Sequence, residues 1–234
     1  HRQGDGALPG RRGAGYNPVA AQGATLWRSR VSAEGLKNTH GAEQEPAFQA
    51  LAPGMLIAVP SLADPFFAKT VILLVDSDHD GSFGVVLNRL APVDMGTLLD
   101  GAGLASPMNL REDPVWWGGP VQPEAGMVLY LEEDDLPEYE PSVTIATGLR
   151  VSWSMALLQD ISESRGPSIY SLFLGRAAWS SGQLEGELEQ GSWLPVDLNR
   201  ALLFARTGDE SWGRALDHLG VNPQDIASGS PAQA

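Results

Sequence analysis

VWWGGPV (residues 115–121) carries more structural information than any other stretch of this chain. Two tryptophans run directly into Gly118, Gly119 and Pro120. Glycine permits positive φ and the close approach of another backbone, and proline then fixes φ and removes a hydrogen-bond donor. The preceding segments LIAVPSLADPFFAKTVILLV (56–75) and GSFGVVLNR (81–89) are apolar and strand-like. The pattern predicts a tight corner between strands, which is either a packed turn or the edge of a cleft.

Apolar runs rich in β-branched residues alternate along the chain with capped helical segments. Strands are predicted over Met55–Val59, Thr70–Val75, Phe83–Leu87, Val115–Trp117, Met127–Leu131, Val143–Ala146, Ser168–Leu174 and Trp193–Val196. Helices are predicted from Asp94 through Leu99, over Met155–Glu163, from Trp179 through Glu189, and over Glu210–Leu219. Because strands occur in hairpins as well as between helices, we predict an α+β fold with a mixed, mostly antiparallel, curled sheet flanked by helices.

Charge is distributed unevenly. Residues 1–40 carry six basic and two acidic side chains, a net charge of +4. Because the net charge of the whole chain is −14, residues 41–234 carry a net charge of −18. An acidic domain repels phosphate backbones, which disfavours direct DNA binding by the folded part. The absence of cysteine excludes disulfides and thiolate chemistry and is compatible with the cytoplasm. The sequence contains no run of about 18 apolar residues, so no membrane-spanning helix is predicted.

The two ends differ in composition from the middle. Residues 1–48 are rich in Gly, Arg and Ala, with sparse and unpatterned apolar residues, and are expected to form a flexible basic tail. Residues 49–226 are expected to form one α+β domain, and residues 227–234 a frayed C-terminus.

Five motifs in order and spacing resemble one family. They are PSLADPFFAKTVILLV, GSFGVVLNR, WWGGPV, LGRAAWSSGQLEGEL and the closing LLFA…WGRALDHLGV. Together, from about residue 52 to 227, they resemble the YqgE/AlgH family of bacterial proteins. The resemblance implies a single α+β domain whose sheet folds into a pseudo-barrel, and a label of transcriptional regulator without an established activity. The chain departs from the family at Ser77, where a histidine is common, and at Leu90, where a proline is common.

Motifs for known chemistry are weak. DSDHDG (76–81) matches the opening of a calcium loop, but the twelfth position is Leu87 in place of a bidentate glutamate, so these residues predict a hairpin turn. The acidic run from Glu132 to Glu140 predicts a solvated loop. No nucleophile elbow or phosphate-binding glycine loop occurs in the folded region, and no cofactor or metal site is predicted.

A binding surface is the remaining hypothesis. The candidate ligand- or partner-binding residues are Asp64, Asn88, Arg89, Gly118, Gly119, Pro120, Trp179, Ser180 and Gln183. A strand-end arginine beside glycine N–H groups and a capped helix start can hold an anion. Packing explains the same residues: Asn88 can satisfy a turn, the glycines can permit close contact, and Trp179 can staple onto Leu184.

Two functions therefore compete. The first is a cytoplasmic, non-enzymatic binding or regulatory protein that holds a protein or a small anionic ligand in a cleft, with any effect on transcription indirect. The second is an enzyme with an unrecognised site, for example a hydrolase acting on a phosphorylated or nucleotide-like molecule. The enzyme needs a titratable group beside the cleft, and Asp64 is the candidate.

Deletion of residues 1–48 is expected to leave the thermal stability of the domain nearly unchanged, because this segment contributes few apolar groups to a core. Thermal unfolding of the chain beginning at residue 49, beside the full chain, measures the effect. Aggregation of the shortened chain, or melting many degrees lower, would show that the tail is part of the fold.

Overall fold

The computed structural model describes residues 51–204 and 208–221. The predicted tails, 1–48 and 227–234, lie outside the described residues. Within the described ranges the strands are β1 Gly54–Ala58, β2 Val71–Asp78, β3 Gly81–Val86, β4 Leu90–Asp94, β5 Pro114–Trp117, β6 Val121–Leu131, β7 Ser142–Ala146, β8 Leu149–Ser152, β9 Tyr170–Ser180 and β10 Trp193–Val196. The helices there are α1 Met95–Ala102, α2 Met155–Ser162, α3 Gln183–Glu189, α4 Arg200–Leu203 and α5 Gly208–His218.

The strands form one mixed sheet with the order β10-β1-β2-β3-β9-β6-β8-β7. Every pair along this path is antiparallel. Strand β5 lies beside β9 as the parallel pair, with Trp117 opposite Leu174, and β4 pairs with β5. The sheet curls into a half-barrel, so the predicted single-domain α+β class with a mostly antiparallel curled sheet is confirmed.

Three apolar clusters fix the curvature. The inner cluster draws on strands β1, β2, β3, β5, β6, β7, β8 and β9, and it packs helices α4 and α5 on one face of the sheet. A second cluster packs α1 and α2 on the outside, and a third packs α3 and residues of the 62–67 turn against β1, β2, β3 and β9. Each fully buried Leu or Ile in these clusters contributes about 2 kcal/mol.

Local signals placed several elements correctly. Asp94 caps α1 by accepting a hydrogen bond from the Thr97 N–H, and Gly103 ends that helix in the left-handed region at φ 72°. The DSDHDG motif forms the predicted hairpin, since β2 ends at Asp78 and β3 begins at Gly81. None of the described helices has the length and apolar character that crossing a membrane requires.

The predicted helix start at Trp179 is wrong. Trp179 and Ser180 belong to β9, where they pair with Ser82 and Gly81 of β3, and α3 begins at Gln183. The Gln183 side chain still accepts from the Ser180 N–H at 3.1 Å, but Gly182 is the cap residue and supplies no side-chain bond. Sheet pairing therefore overrides the local capping signal.

Tyr139 ties the loop before β7 to the outer helix α2. It is 2% exposed, its ring lies 6.1 Å from that of Tyr130, and its hydroxyl donates to Asp160 Oδ2 at 3.0 Å. Burial, reinforced by the Asp160 carboxylate, raises the pKa of Tyr139 from its usual 10.0 to about 12.

Tyr139→Phe is expected to flatten the alkaline loss of stability. A raised pKa in the folded state means that folding favours the protonated phenol, so this contribution is complete below pH 10.0 and is lost as pH rises towards about 12. The variant lacks this pH-dependent contribution. At neutral pH its free energy of unfolding is lower by about 1 kcal/mol, because the hydrogen bond to Asp160 is lost. Urea unfolding of both proteins across this range measures the slopes, and parallel slopes would contradict the assignment.

Candidate functional site

The glycine corner is a place where backbones touch. The Gly118 N–H donates to the Leu174 carbonyl at 2.7 Å, and the Gly118 carbonyl accepts from the Val86 N–H at 2.9 Å. A Cβ on Gly118 would lie 2.2 Å from the Gly175 oxygen, and one on Gly119 would lie 2.1 Å from the Arg176 carbonyl carbon. Gly118 and Gly119 are buried and the following Pro120 is exposed. The corner is therefore a packed crossing of β9.

Asn88 is a structural clamp. It is 3% exposed, and its Oδ1 accepts from the Val71 N–H at 3.0 Å. Its Nδ2 donates to the carbonyls of Lys69 at 2.9 Å and Gly208 at 3.2 Å. The side chain satisfies three backbone groups around the end of β3, so this geometry gives it a packing role.

Arg89 also holds backbone. Its guanidinium donates to the carbonyls of Pro65 at 3.1 Å and Ala68 at 2.8 Å. The guanidinium carbon lies 5.7 Å from the ring centre of Trp117, and the backbone N–H of Trp117 donates to the Arg89 carbonyl. The sequence suggested a guanidinium placed to grip an anion with both nitrogens, whereas here each terminal nitrogen already donates to a carbonyl.

Asp64 opens the turn that Arg89 closes. Its Oδ1 accepts from the N–H groups of Phe66 at 2.8 Å and Phe67 at 3.0 Å, so the carboxylate caps the turn. Phe67 turns inward and packs against Trp179 and Trp193, with ring centres 6.3 and 5.8 Å away.

Phe66 turns outward from the same turn. It is 51% exposed and stacks on Trp117 with ring centres 6.2 Å apart and planes 18° apart. We call Pro65, Phe66, Arg89 and Trp117 the aromatic–arginine surface. The structure thus brings Asp64, Arg89 and the glycine corner together around one exposed aromatic stack.

Ser180 and Gln183 lie farther along the chain than the glycine corner. Ser180 is three residues beyond Ala177, whose backbone meets Gly119, so about 10 Å of strand separates it from the corner. Trp179 is buried, and its indole N–H donates to Glu187 Oε2 at 2.9 Å, as does that of Trp193 at 2.8 Å. Trp179 therefore packs behind the turn, against Phe67, and the convergence of all three sets in one cleft stays a prediction.

Acidic groups do not build a buried metal centre among the described residues. Asp78, His79 and Asp80 in the β2–β3 hairpin have ligand atoms within 4.8 Å of one another, but all three are exposed. In the acidic loop, Glu132 and Glu140 pair with Arg150. Hydrogen bonds from the Ser168 hydroxyl and N–H lower the pKa of Glu133. Paired and exposed carboxylates of this kind fit the predicted solvated loop.

Comparison with known proteins agrees with this architecture. A family model described as AlgH-like matches residues 55–224. The chain belongs to the AlgH-like family. A UPF0301 protein of Ralstonia nicotianae is 39% identical over 169 residues, which are 72% of this chain and 87% of that protein. Another, from Anaeromyxobacter dehalogenans, is 37% identical over 190 residues, which are 79% of this chain and 96% of that protein.

A solved relative shares the fold. The solution structure of the AlgH protein from Pseudomonas aeruginosa is 31% identical to this chain, with a TM-score of 0.65. The match covers 82% of this chain and 100% of that one. The YqgE/AlgH resemblance drawn from the five motifs is thereby confirmed.

Sequence reasoning missed the exposed member of the surface. Phe66 and Phe67 are adjacent and equally apolar, and only the turn geometry sends one inward and the other outward. The available signal was Asp64-Pro65 before the phenylalanines. An aspartate that caps two successive N–H groups fixes a tight turn, which cannot bury both following side chains on one side.

Gly119→Ala is expected to lower the free energy of unfolding by about 3 kcal/mol or more, because the added methyl meets β9 backbone and φ is +150°. Gly101→Ala is the matched control. That glycine lies inside α1 with nothing within 4 Å of an added Cβ, so alanine should be neutral or stabilise by up to about 1 kcal/mol. Denaturant unfolding measures the free energy of unfolding of both variants. Equal changes in the two would contradict the structural role assigned to Gly119.

Proposed function

We propose that this AlgH-like chain is a cytoplasmic, non-enzymatic binding or regulatory protein that holds a partner protein on the aromatic–arginine surface. The observation that carries the proposal is Phe66, half exposed and stacked flat on Trp117 beside a guanidinium. Aromatic residues and arginine are enriched among the residues that dominate protein–protein binding energy. Any effect on transcription is then indirect, through the partner.

Rigidity supports this surface as a binding site. Asp64 fixes the backbone of the turn from one end, and Arg89 fixes two of its carbonyls from the other. Phe67 anchors the turn in the third apolar cluster. An aromatic group already held in its binding orientation loses little conformational entropy when a partner docks.

A protein partner fits better than a small anion or DNA at this location. Both terminal nitrogens of Arg89 already donate to carbonyls, which leaves the guanidinium with less to offer an anionic group. The charge of −18 outside residues 1–40 also opposes phosphate-rich ligands.

The hydrolase hypothesis gains no support from the described residues. Asp64 was the titratable group suggested for it. Its carboxylate instead accepts two backbone N–H groups of the turn, so it serves the shape of the surface.

Site-specific photo-crosslinking tests the proposal. A benzophenone amino acid replaces Phe66 in the native host and, as a control, Met108, which is 86% exposed in the α1–β5 segment. We expect an adduct specific to position 66. The partner identified there should bind purified Phe66→Ala at least about tenfold more weakly than the unaltered chain, a loss of about 1.4 kcal/mol.

Met108→Ala should bind this partner with unchanged affinity. Adducts common to both positions, or equal affinity of the partner for Phe66→Ala and the unaltered chain, would reject the aromatic–arginine surface as the binding site. Circular dichroism of Phe66→Ala verifies that the fold is retained.

A further inference from the structure

Arg176 lies on β9 on the same face of the sheet as Phe83 of β3, because the partner of Phe83 on β9 is Ala178, two residues later. Its guanidinium is 5.5 Å from the ring centre of Phe83 on β3, and that ring is 6.3 Å from Trp153, just after β8. Strand β9 separates β3 from β6, and β8 follows β6, so the two aromatic rings meet across the curl of the sheet. All three side chains are partly exposed, and both rings pack on the margin of the inner cluster.

The guanidinium of Arg176 lacks a polar partner among the described residues. Its Nε is buried and donates to no described acceptor, and its terminal nitrogens form neither a hydrogen bond nor an ion pair with a described residue. Arg150 also has a buried Nε without a partner, but its terminal nitrogens pair with Glu132 and Glu140. A buried donor without a partner is rare in folded proteins because it loses its hydration without compensation.

We propose that Arg176, Phe83 and Trp153 form a binding site for a small aromatic carboxylate, separate from the aromatic–arginine surface. The planar guanidinium matches a carboxylate with two parallel N–H···O bonds, and the bound carboxylate satisfies the donors that the described residues leave unpaired. The rings of Phe83 and Trp153 provide flat apolar contact for the aromatic part of the ligand. The site therefore recognises one negative charge joined to one ring system.

Nearby acidity favours a single charge over a phosphate. Asp76 is directly opposite Phe83 in the β2–β3 pair, so its side chain is on the same face of the sheet as that ring. The chain beyond residue 40 also carries −18. A dianionic phosphate doubles the attraction to Arg176, but it also doubles the repulsion from Asp76 and from the net negative charge, so the acidic surroundings favour the carboxylate.

NMR titration of the full chain tests the site with defined probes. The probes are 2-naphthoate, its neutral isostere 2-naphthamide, and 2-naphthyl phosphate, and the readout is the indole N–H resonance of Trp153. We expect saturable shifts with 2-naphthoate at about millimolar affinity, at least about tenfold tighter than with the amide and tighter than with the phosphate. Equal binding of acid and amide, tighter binding of the phosphate, or no response at Trp153 would overturn the proposal.

Variants then assign the charge. Arg176→Gln should weaken 2-naphthoate at least about tenfold and leave the weak binding of the amide unchanged. Arg214→Gln, an exposed arginine on α5 that pairs with Glu210, is the control and should bind as the unaltered chain. Retained affinity in Arg176→Gln would reject the site. If that variant does not fold, the comparison of acid with amide in the unaltered chain still decides the outcome.

Discussion

The close contact between the Gly118-Gly119 corner and Gly175-Arg176 of β9 is the constraint on which the other features depend. Side chains are excluded from both sides of it: a Cβ on Gly175 would lie 2.3 Å from the Gly119 oxygen, just as one on Gly119 would meet Arg176. This proximity places β5 parallel to β9 and lets the Val86 N–H reach the Gly118 carbonyl. Strand β3 thus ends beside Trp117, where Arg89 and the 64–68 turn assemble.

The same crossing separates the two sides of the sheet. On the outer side, the turn that follows Asp64 packs Phe67 among Trp179 and Trp193, whose indole N–H groups share the carboxylate of Glu187. On the other face, Phe83 and Trp153 pack at the margin of the inner cluster beside Arg176. The same arrangement of strands therefore produces two aromatic pairs, each beside an arginine. Phe66 and Trp117 lie beside Arg89, and Phe83 and Trp153 lie beside Arg176.

What could be predicted from the sequence was local. The Asp94 cap, the Gly103 termination and the hairpin at His79-Asp80 each depend on residues within a few positions of one another. The family motifs supplied the single domain and its curled sheet. Strands β4 and β8 are short and lack a strong apolar run. Strand β4 depends on pairing with β5 beyond helix α1, and β8 pairs with β6 as well as with the neighbouring β7. Ser180 and Gln183 carry a valid local helix signal, but the pairing of Ser180 with Gly81 outweighs it.

The role of the candidate site residues depends on distant partners for a related reason. Arginine, asparagine and glycine at strand ends fit either binding or packing, and the choice depends on acceptors far away in sequence. The carbonyls that occupy Arg89 belong to residues 21 and 24 positions earlier, and one that occupies Asn88 is 120 positions later. Arg176 drew no attention, because its significance is a missing partner, which a sequence does not display. Gly119 supports both sides of the crossing, so a substitution there disturbs the two proposed surfaces together; Phe66 and Arg176 lie at their separate ends and can be altered one at a time.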